Sequence, residues 1–357
     1  MRLTENEILT KLNGLYREAE PFSINLRRGG KARQVRFDAL GTLQVANKKI
    51  KVALEIVSTA NPKNLRFKID TLRRALNWSK SNKLTPLMAA PYIGSKQARM
   101  LRDENISWID LCGNFRIAVP PSVYLERTGN PNKYPDTAPI KKIFQGASGL
   151  VSRALLLKPQ GFESQSELVN FINGKESNIT VSTVSRVLKS LEDELLISRD
   201  KSNITVRDAE KILDELLLGY KLSKIPKNMN SFRFACEGFD EEILSIFNFA
   251  IDCAARGFYA AKLRGLAASD EIEICVKSIE DFRKQCSKTL VPLKPDVEYG
   301  NIKVIETNDP GVWFNIFAAP VQQVDDIELY LEMMNDKPRG PKIAEILKER
   351  ILAGFRK

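Results

Sequence analysis

The run Thr180-Val181-Ser182-Thr183-Val184-Ser185-Arg186-Val187-Leu188, set within Ser148–Arg207, is where the sequence declares its architecture. Val181, Val184, Leu188, Leu191 and Leu195 recur at helical spacing and define a buried stripe, with Thr180 as the expected N-cap. Ser182, Ser185, Arg186 and Lys189 fall at i, i+3, i+4 and i+7 on a different face, with Thr183 beside them. Upstream, Leu150–Leu157 reads as a first helix stopped by Lys158-Pro159-Gln160-Gly161, and a second helix begins near Ser164 and ends by Gly174. Downstream, Leu196–Arg199 and Ile204–Arg207 flank the polar turn Asp200-Lys201-Ser202-Asn203 and read as a hairpin. Three short helices closed by a basic hairpin make a winged helix-turn-helix over residues 147–208. Its outward face of hydroxyls, Arg and Lys suits phosphates and base edges. The expected DNA contacts are Ser182, Thr183, Ser185, Arg186 and Lys189 on the helix, with Arg199 and Lys201 on the wing. The same elements also serve elsewhere as plain packing or protein-contact modules; the residue types on the outward face favour DNA.

Composition narrows the remaining choices. The chain has 357 residues, enough for two or three domains, and its 43% hydrophobic content is that of a globular protein. Apolar runs fall short of a membrane span, and the charged start Met1–Glu7 does not read as a signal peptide, so a cytoplasmic protein is expected. Five cysteines at Cys112, Cys236, Cys253, Cys275 and Cys286 are widely spaced and read as reduced, packed residues. The absence of histidine excludes His-based zinc sites, Ser-His-Asp triads and Cys-His pairs. A metal would have to be a hard cation held by carboxylates.

The net charge of +11 points to an anionic partner, double-stranded DNA first. Between Ile24 and Arg74 stand thirteen Lys and Arg against Asp38, Glu55 and Asp70, which reads as a second surface for the DNA backbone.

Taken in order, residues 1–128 read as an α/β domain. A helix over Glu5–Glu18 carries Ile8, Leu9, Leu12 and Leu15, and Gln34–Phe37, Leu40–Val45 and Lys49–Ser58 read as strands. A basic helix from Asn64 to Trp78, a buried strand Pro86–Ile93, a helix capped by Ser95, and strands at Ser107–Leu111, Phe115–Val119 and Val123–Glu126 complete it. Residues 129–146 read as a linker and 209–230 as an exit helix and second linker. Residues 231–357 read as an α+β domain: helices at Glu241–Ala255 and Ile279–Cys286, strands at Glu271–Val276, Asn301–Glu306 and Val312–Ile316, and two closing helices.

Two acidic patterns are candidates for metal chemistry. Asp38 ahead of a hairpin and Glu55 late on the next strand follow the layout of PD-(D/E)xK nucleases, whose carboxylates hold Mg²⁺ and whose lysine helps activate water. The lysine position is Val57 here. Lys51 shares a strand face with Glu55 but stands about two strand steps away, and Arg66, Lys68 or Arg73 on the following helix could substitute. Near the other end, Glu271-Ile272-Glu273-Ile274 alternates like a nucleotidyltransferase metal strand. Arg264-Gly265-Leu266-Ala267 lacks the Gly-Ser pair that would hold a phosphate, so charges on an edge strand explain the pattern better.

The segments Met88–Ile93, Gln97–Arg102 and Ile106–Ile117, the run Thr180–Leu188 and the stretch Val324–Leu331 together resemble prokaryotic AbiEi-type antitoxins of type IV toxin–antitoxin systems and related transcriptional regulators. The resemblance spans nearly the whole chain, and Asp110-Leu111-x-Gly113-Asn114 is its most specific part. It implies a restriction-endonuclease-like N-terminal domain, a winged helix and a C-terminal α+β domain related to nucleotidyltransferases, with DNA binding and repression as the activity. The expectation is a homodimeric DNA-binding regulator without catalytic residues or cofactor, its C-terminal domain a partner or dimerisation module. A Mg²⁺-dependent endonuclease using Asp38, Glu55 and Lys51, and a protein that sequesters a toxin, are the alternatives; Val57 argues against the first.

Overall fold

The computed structural model describes residues 3–17, 20–29, 31–32, 35–78, 84–134, 141–175, 177–200, 203–222, 230–237, 252–288, 293–295, 299–317, 322–336 and 338–356. The chain is mixed α/β and divides into two compact units, one built on Met1–Ile140 and one on Lys141–Glu192 with Leu196–Lys357.

The first unit opens with helix α1, Glu5–Tyr16. Thr4 and Glu7 begin it with reciprocal side-chain-to-backbone hydrogen bonds, a capping box that satisfies two otherwise orphaned amides. It buries Ile8, Leu9, Leu12 and Tyr16, whereas Leu15, expected on the stripe, is 46% exposed. Strands β1 (Ser23–Arg28), β4 (Ala39–Val45), β5 (Lys48–Ile56), β6 (Leu84–Ala90), β7 (Ser107–Asp110), β8 (Phe115–Val119) and β9 (Val123–Arg127) form a seven-stranded sheet in that spatial order. β5, β6 and β7 run parallel, and the flanking pairs are antiparallel. The parallel crossovers are helices α2 (Pro62–Trp78) and α3 (Ser95–Asp103).

Alternation along the strands sorts the apolar side chains onto two faces. Ile24, Leu26, Leu54, Ile56, Leu87 and Ile109 pack with α1, while Ala53, Val57, Met88 and Trp108 pack with Leu65, Ile69 and Leu72 of α2 and Leu101 of α3. Three expectations change here. β1 was absorbed into the basic segment, although Ser-Ile-Asn-Leu-Arg-Arg alternates as a strand. The expected strand Gln34–Phe37 reduces to Val35–Arg36, β3, paired with β2, Lys31–Ala32; Gln34 lies outside the described residues. The residue before α3 is Gly94, which makes no side-chain cap, so Ser95 is the first helical residue and not its cap.

The second unit begins with a short 3₁₀ turn, Lys141–Phe144, and then α4 (Gly146–Leu157), α5 (Gln165–Asn173) and α6 (Val181–Asp193). Strands β10 (Ile197–Arg199) and β11 (Ile204–Val206) pair antiparallel, and α7 follows at Ala209–Leu222. Ser164 caps α5 by accepting from the amide of Glu167 at 3.1 Å, and Gly174 ends the helix, as expected. The remaining strands are β12 (Asn230–Ala235), β13 (Cys253–Ala255), β14 (Ile272–Val276), β15 (Lys294–Pro295), β16 (Ile302–Glu306), β17 (Ile316–Phe317) and β18 (Gln323–Val324). They form a seven-stranded mixed sheet in the order β15-β12-β16-β14-β13-β18-β17.

Residues 141–222 and the C-terminal sheet share a single hydrophobic core in which α4, α6 and α7 are continuous with β13, β14 and the helix Asp326–Met333. The expected linkers therefore do not isolate residues 147–208 as a free module. Ile143 in the first is buried in this core, and α7 runs through the start of the second. Residues 135–140 and 223–229 lie outside the described residues.

Two secondary-structure expectations fail in this unit for local reasons. Val312 falls in a helix, Pro310–Trp313, because Asp309 accepts from the amide of Gly311 at 2.8 Å and Pro310 supplies the first helical position; the strand shrinks to Ile316–Phe317. Cys253–Ala255 is a buried strand, where a helix was expected over Glu241–Ala255; residues 241–251 of that stretch lie outside the described residues. Three small buried residues carry no period that separates strand from helix. Among the described residues, no helix is long and apolar enough to cross a membrane.

Candidate functional site

Helix α6 presents the first candidate surface. Thr180 precedes it, its hydroxyl accepting from the amide of Thr183 at 3.2 Å, and also meets the hydroxyls of Thr183 and Ser182 at 3.0 Å each. Val184, Val187, Leu188 and Leu191 are fully buried, and they orient the helix so that Ser182, Ser185, Arg186 and Lys189 are exposed and Thr183 half-buried. Val181 is a correction: placed by its spacing on the buried stripe, it is 57% exposed and joins the outward face. An apolar side chain there gives that face a group that can meet a thymine methyl.

The hairpin is fastened to the helices by a third extended segment. Phe162 exchanges two backbone hydrogen bonds with Ile204, at 3.0 and 2.7 Å. Gly161 makes this approach possible, because it adopts φ +85° and a Cβ there would collide with the carbonyl of Ile204. Arg199 is exposed at the tip of β10, and the neighbouring Asp200 amide donates to Asn203 at 3.1 Å. Lys201 lies outside the described residues.

In the acidic site of the first unit the cation is not Lys51 but Lys68, one of the three candidates on the following helix. Asp38 sits in the bend before β4 and Glu55 near the end of β5, and Lys68 of α2 reaches both, with Nζ 2.6 Å from Asp38 Oδ2 and 2.7 Å from Glu55 Oε2. Asp38 Oδ2 also accepts from the amide of Ile56 at 2.8 Å, which fixes the bend against the strand. Glu5 of α1 stands 3.8 Å from the same ammonium. Lys51 is exposed and makes no contact with the pair, while Arg66 and Arg73 face solvent from α2. Val57, at the position where a lysine was sought, is buried in the apolar face beneath α2 and α3.

Burial of the Glu55 carboxyl pushes its pKa up to about 7 against the hydrogen bond from Lys68. Burial also works to lower the pKa of Lys68, but its hydrogen bonds to Asp38 and Glu55 outweigh that and the net direction is upward. In donor chemistry, two adjacent carboxylates fit a hard divalent ion that keeps water or phosphate as further ligands. The ammonium between them supplies one compensating positive charge.

The acidic strand near the C-terminus is already neutralised. Glu271 is ion-paired with Arg233, and Glu273 lies 3.4 Å from Lys303 and 3.6 Å from Arg256. The Asp110-Leu111-Cys112-Gly113-Asn114 stretch is likewise spent on structure. The Asp110 carboxylate accepts from the amides of Ile93, Cys112 and Asn114 and from the Asn114 side chain, at 2.8–3.2 Å. Comparison with family models, characterised proteins and solved structures finds no match.

Proposed function

We propose that the protein is a DNA-binding regulator of the antitoxin type, reading duplex DNA with a winged helix formed by α4–α6 and β10–β11. The observation that carries this reading is the outward face of α6, where Val181, Ser182, Ser185, Arg186 and Lys189 are all exposed beside a hairpin bearing Arg199. Such a helix matches the width of the major groove, and its side-chain types can serve both phosphates and base edges. The first unit, of the restriction-endonuclease-like class on this reading, adds a second contact with the backbone. A homodimer would match a two-fold operator. In a gel-shift titration, Arg186→Ala should weaken specific binding by about 1–3 kcal/mol if the side chain meets a guanine edge. If it meets only a phosphate, the salt slope should flatten by about one unit. Wild-type affinity for the variant at every salt concentration would sink the assignment.

Lys68 favours a second reading, a Mg²⁺-dependent endonuclease delivered by the winged helix. The apolar Val57 no longer counts against it, since a cation is present from another element. Asp38 and Glu55 would hold the metal, which would supply Lewis acidity at a phosphate; Lys68 lies beside the same oxygens and can hold a proton or stabilise charge there. Supercoiled plasmid incubated with the protein and Mg²⁺ separates the readings. It stays supercoiled for a regulator, whereas nicking that disappears in both Glu55→Ala and Lys68→Ala selects the endonuclease.

A further inference from the structure

The face of the first sheet that carries Glu55 also carries an aligned row across five strands: Glu55 is in register with Met88, Met88 with Trp108, Trp108 with Arg116 and Arg116 with Glu126. The far end of the row is a group of its own. Arg116 is 8% exposed and Trp108 1% exposed. The guanidinium Nε and Nη1 and the indole Nε1 are buried donors that meet no hydrogen-bond acceptor among the described residues. A positive charge held at that depth without a hydrogen-bonded anion is unfavourable.

Glu126 answers the charge only in part. Its carboxylate accepts from the Tyr124 hydroxyl, which is the main reason its pKa lies below the usual range, and it is ion-paired with Arg102. Two arginines thus share one acid. The Tyr124 ring lies 5.7 Å from the guanidinium carbon of Arg116.

We propose that Arg116 and Trp108 form a subsite for a compact oxyanion, a free phosphate or the terminal phosphate of a nucleic acid, with Glu126 as its internal competitor. Guanidinium and indole donors together suit a group that presents several acceptor oxygens. Over Arg116 lies the ring of Tyr124, itself 61% exposed, and Arg102, 53% exposed, holds Glu126 beside it; both side chains can rotate aside without breaking the ladder between β8 and β9, while Trp108 stays packed against Leu101 of α3. A terminal or free phosphate presents more unesterified oxygens to these donors than a phosphate flanked by two sugars. The proposal does not depend on the winged-helix reading.

The test titrates the full chain with inorganic phosphate by calorimetry, and with oligonucleotides with and without a 5′-phosphate by fluorescence anisotropy. Saturable binding of inorganic phosphate that Arg116→Gln weakens roughly ten- to hundredfold identifies the free ion as occupant. A preference for the 5′-phosphorylated oligonucleotide that the same variant abolishes identifies a nucleic-acid end. Glu126→Gln should tighten whichever is bound, by removing the competing charge. Should Arg116→Gln fail to fold, Trp108→Phe keeps the ring, deletes one donor and should still weaken binding severalfold. Absence of both responses in the wild-type protein, or responses unchanged in Trp108→Phe and Glu126→Gln, overturns the proposal.

Discussion

Replacing Lys68 by methionine would leave Asp38 and Glu55 side by side with no cation, Glu55 being only 3% exposed at its side chain. Removing one partner of such a buried pair costs about 3–5 kcal/mol, since the surviving charge loses its compensation. The expected result is a clear fall in the urea midpoint of Lys68→Met, largely restored in Lys68→Met/Glu55→Gln; equal midpoints for wild type and the single variant would contradict the geometry. The pair also shows where residue-level reading stops. Asp38 and Glu55 could be singled out from their order along two neighbouring strands. Their partner could not be chosen among Arg66, Lys68 and Arg73, because only the rotation of α2 against the sheet decides which cation turns inward. Arg116 was further out of reach, since its isolation depends on a register spanning β5 to β9.

Elements were more legible than the residues at their edges. The stripe through Val184, Leu188 and Leu191 announced α6, and the Ser164 cap and Gly174 stop bounded α5. Val181 was misplaced because it stands in the first turn, where the apolar period runs on in sequence after the core beneath the helix has ended. The helix Pro310–Trp313 was hidden by an apolar run that also suits a strand, and only the Asp309-Pro310 start separates the two. At this scale the joint between hairpin and helices is testable through Gly161, whose φ of +85° and contact with the Ile204 carbonyl leave no space for a methyl group. Gly161→Ala should destabilise the second unit by more than about 1 kcal/mol. On the DNA-binding reading proposed above, it should also weaken binding through the hairpin while α6 keeps its own sequence; an unchanged melting temperature would show that the Phe162–Ile204 pairing is not needed.

For the molecule as a whole, the decisive feature is the core common to helices α4, α6 and α7 and the C-terminal sheet. Arg153 of α4 is buried there, 2.5 Å from Glu328 and donating to the Gly311 carbonyl at 3.0 Å. Nearby, Arg256 pairs with Glu332 at 2.6 Å. Burial raises the pKa of Glu332 to about 7 and that of Asp325 to about 6, in each case against the pull of a neighbouring arginine. Both acids bind their protons more tightly folded than unfolded. The stability they confer is thus complete below their ordinary values, near 4.5 and 3.8, and is lost as pH rises through about 6 for Asp325 and about 7 for Glu332. Denaturation of the full chain should show a loss on the order of 3 kcal/mol from Glu332 across that window. Glu332→Gln should flatten that slope, and a slope unaffected by the substitution would refute the assignment. The shared core also implies that a fragment of residues 141–222 does not fold alone, which circular dichroism and amide dispersion can check; a cooperatively folded fragment would show that the C-terminal sheet is dispensable. The length and composition of the chain imply several domains but not this fusion, because a proline- and glycine-rich connection in sequence carries no record of which apolar faces meet across it.

A helix built into its own body cannot be exchanged like a cassette. On the reading proposed above, retargeting, in the laboratory or in descent, has to proceed by point substitution at Val181, Ser182, Ser185, Arg186 and Lys189, whose side chains stand clear of the core and can vary without disturbing it. Grafting a foreign bundle in place of residues 141–222 would cut through the packing that this segment shares with the C-terminal sheet. On that reading, the accessible specificities are those one helix surface can spell while its underside stays fixed.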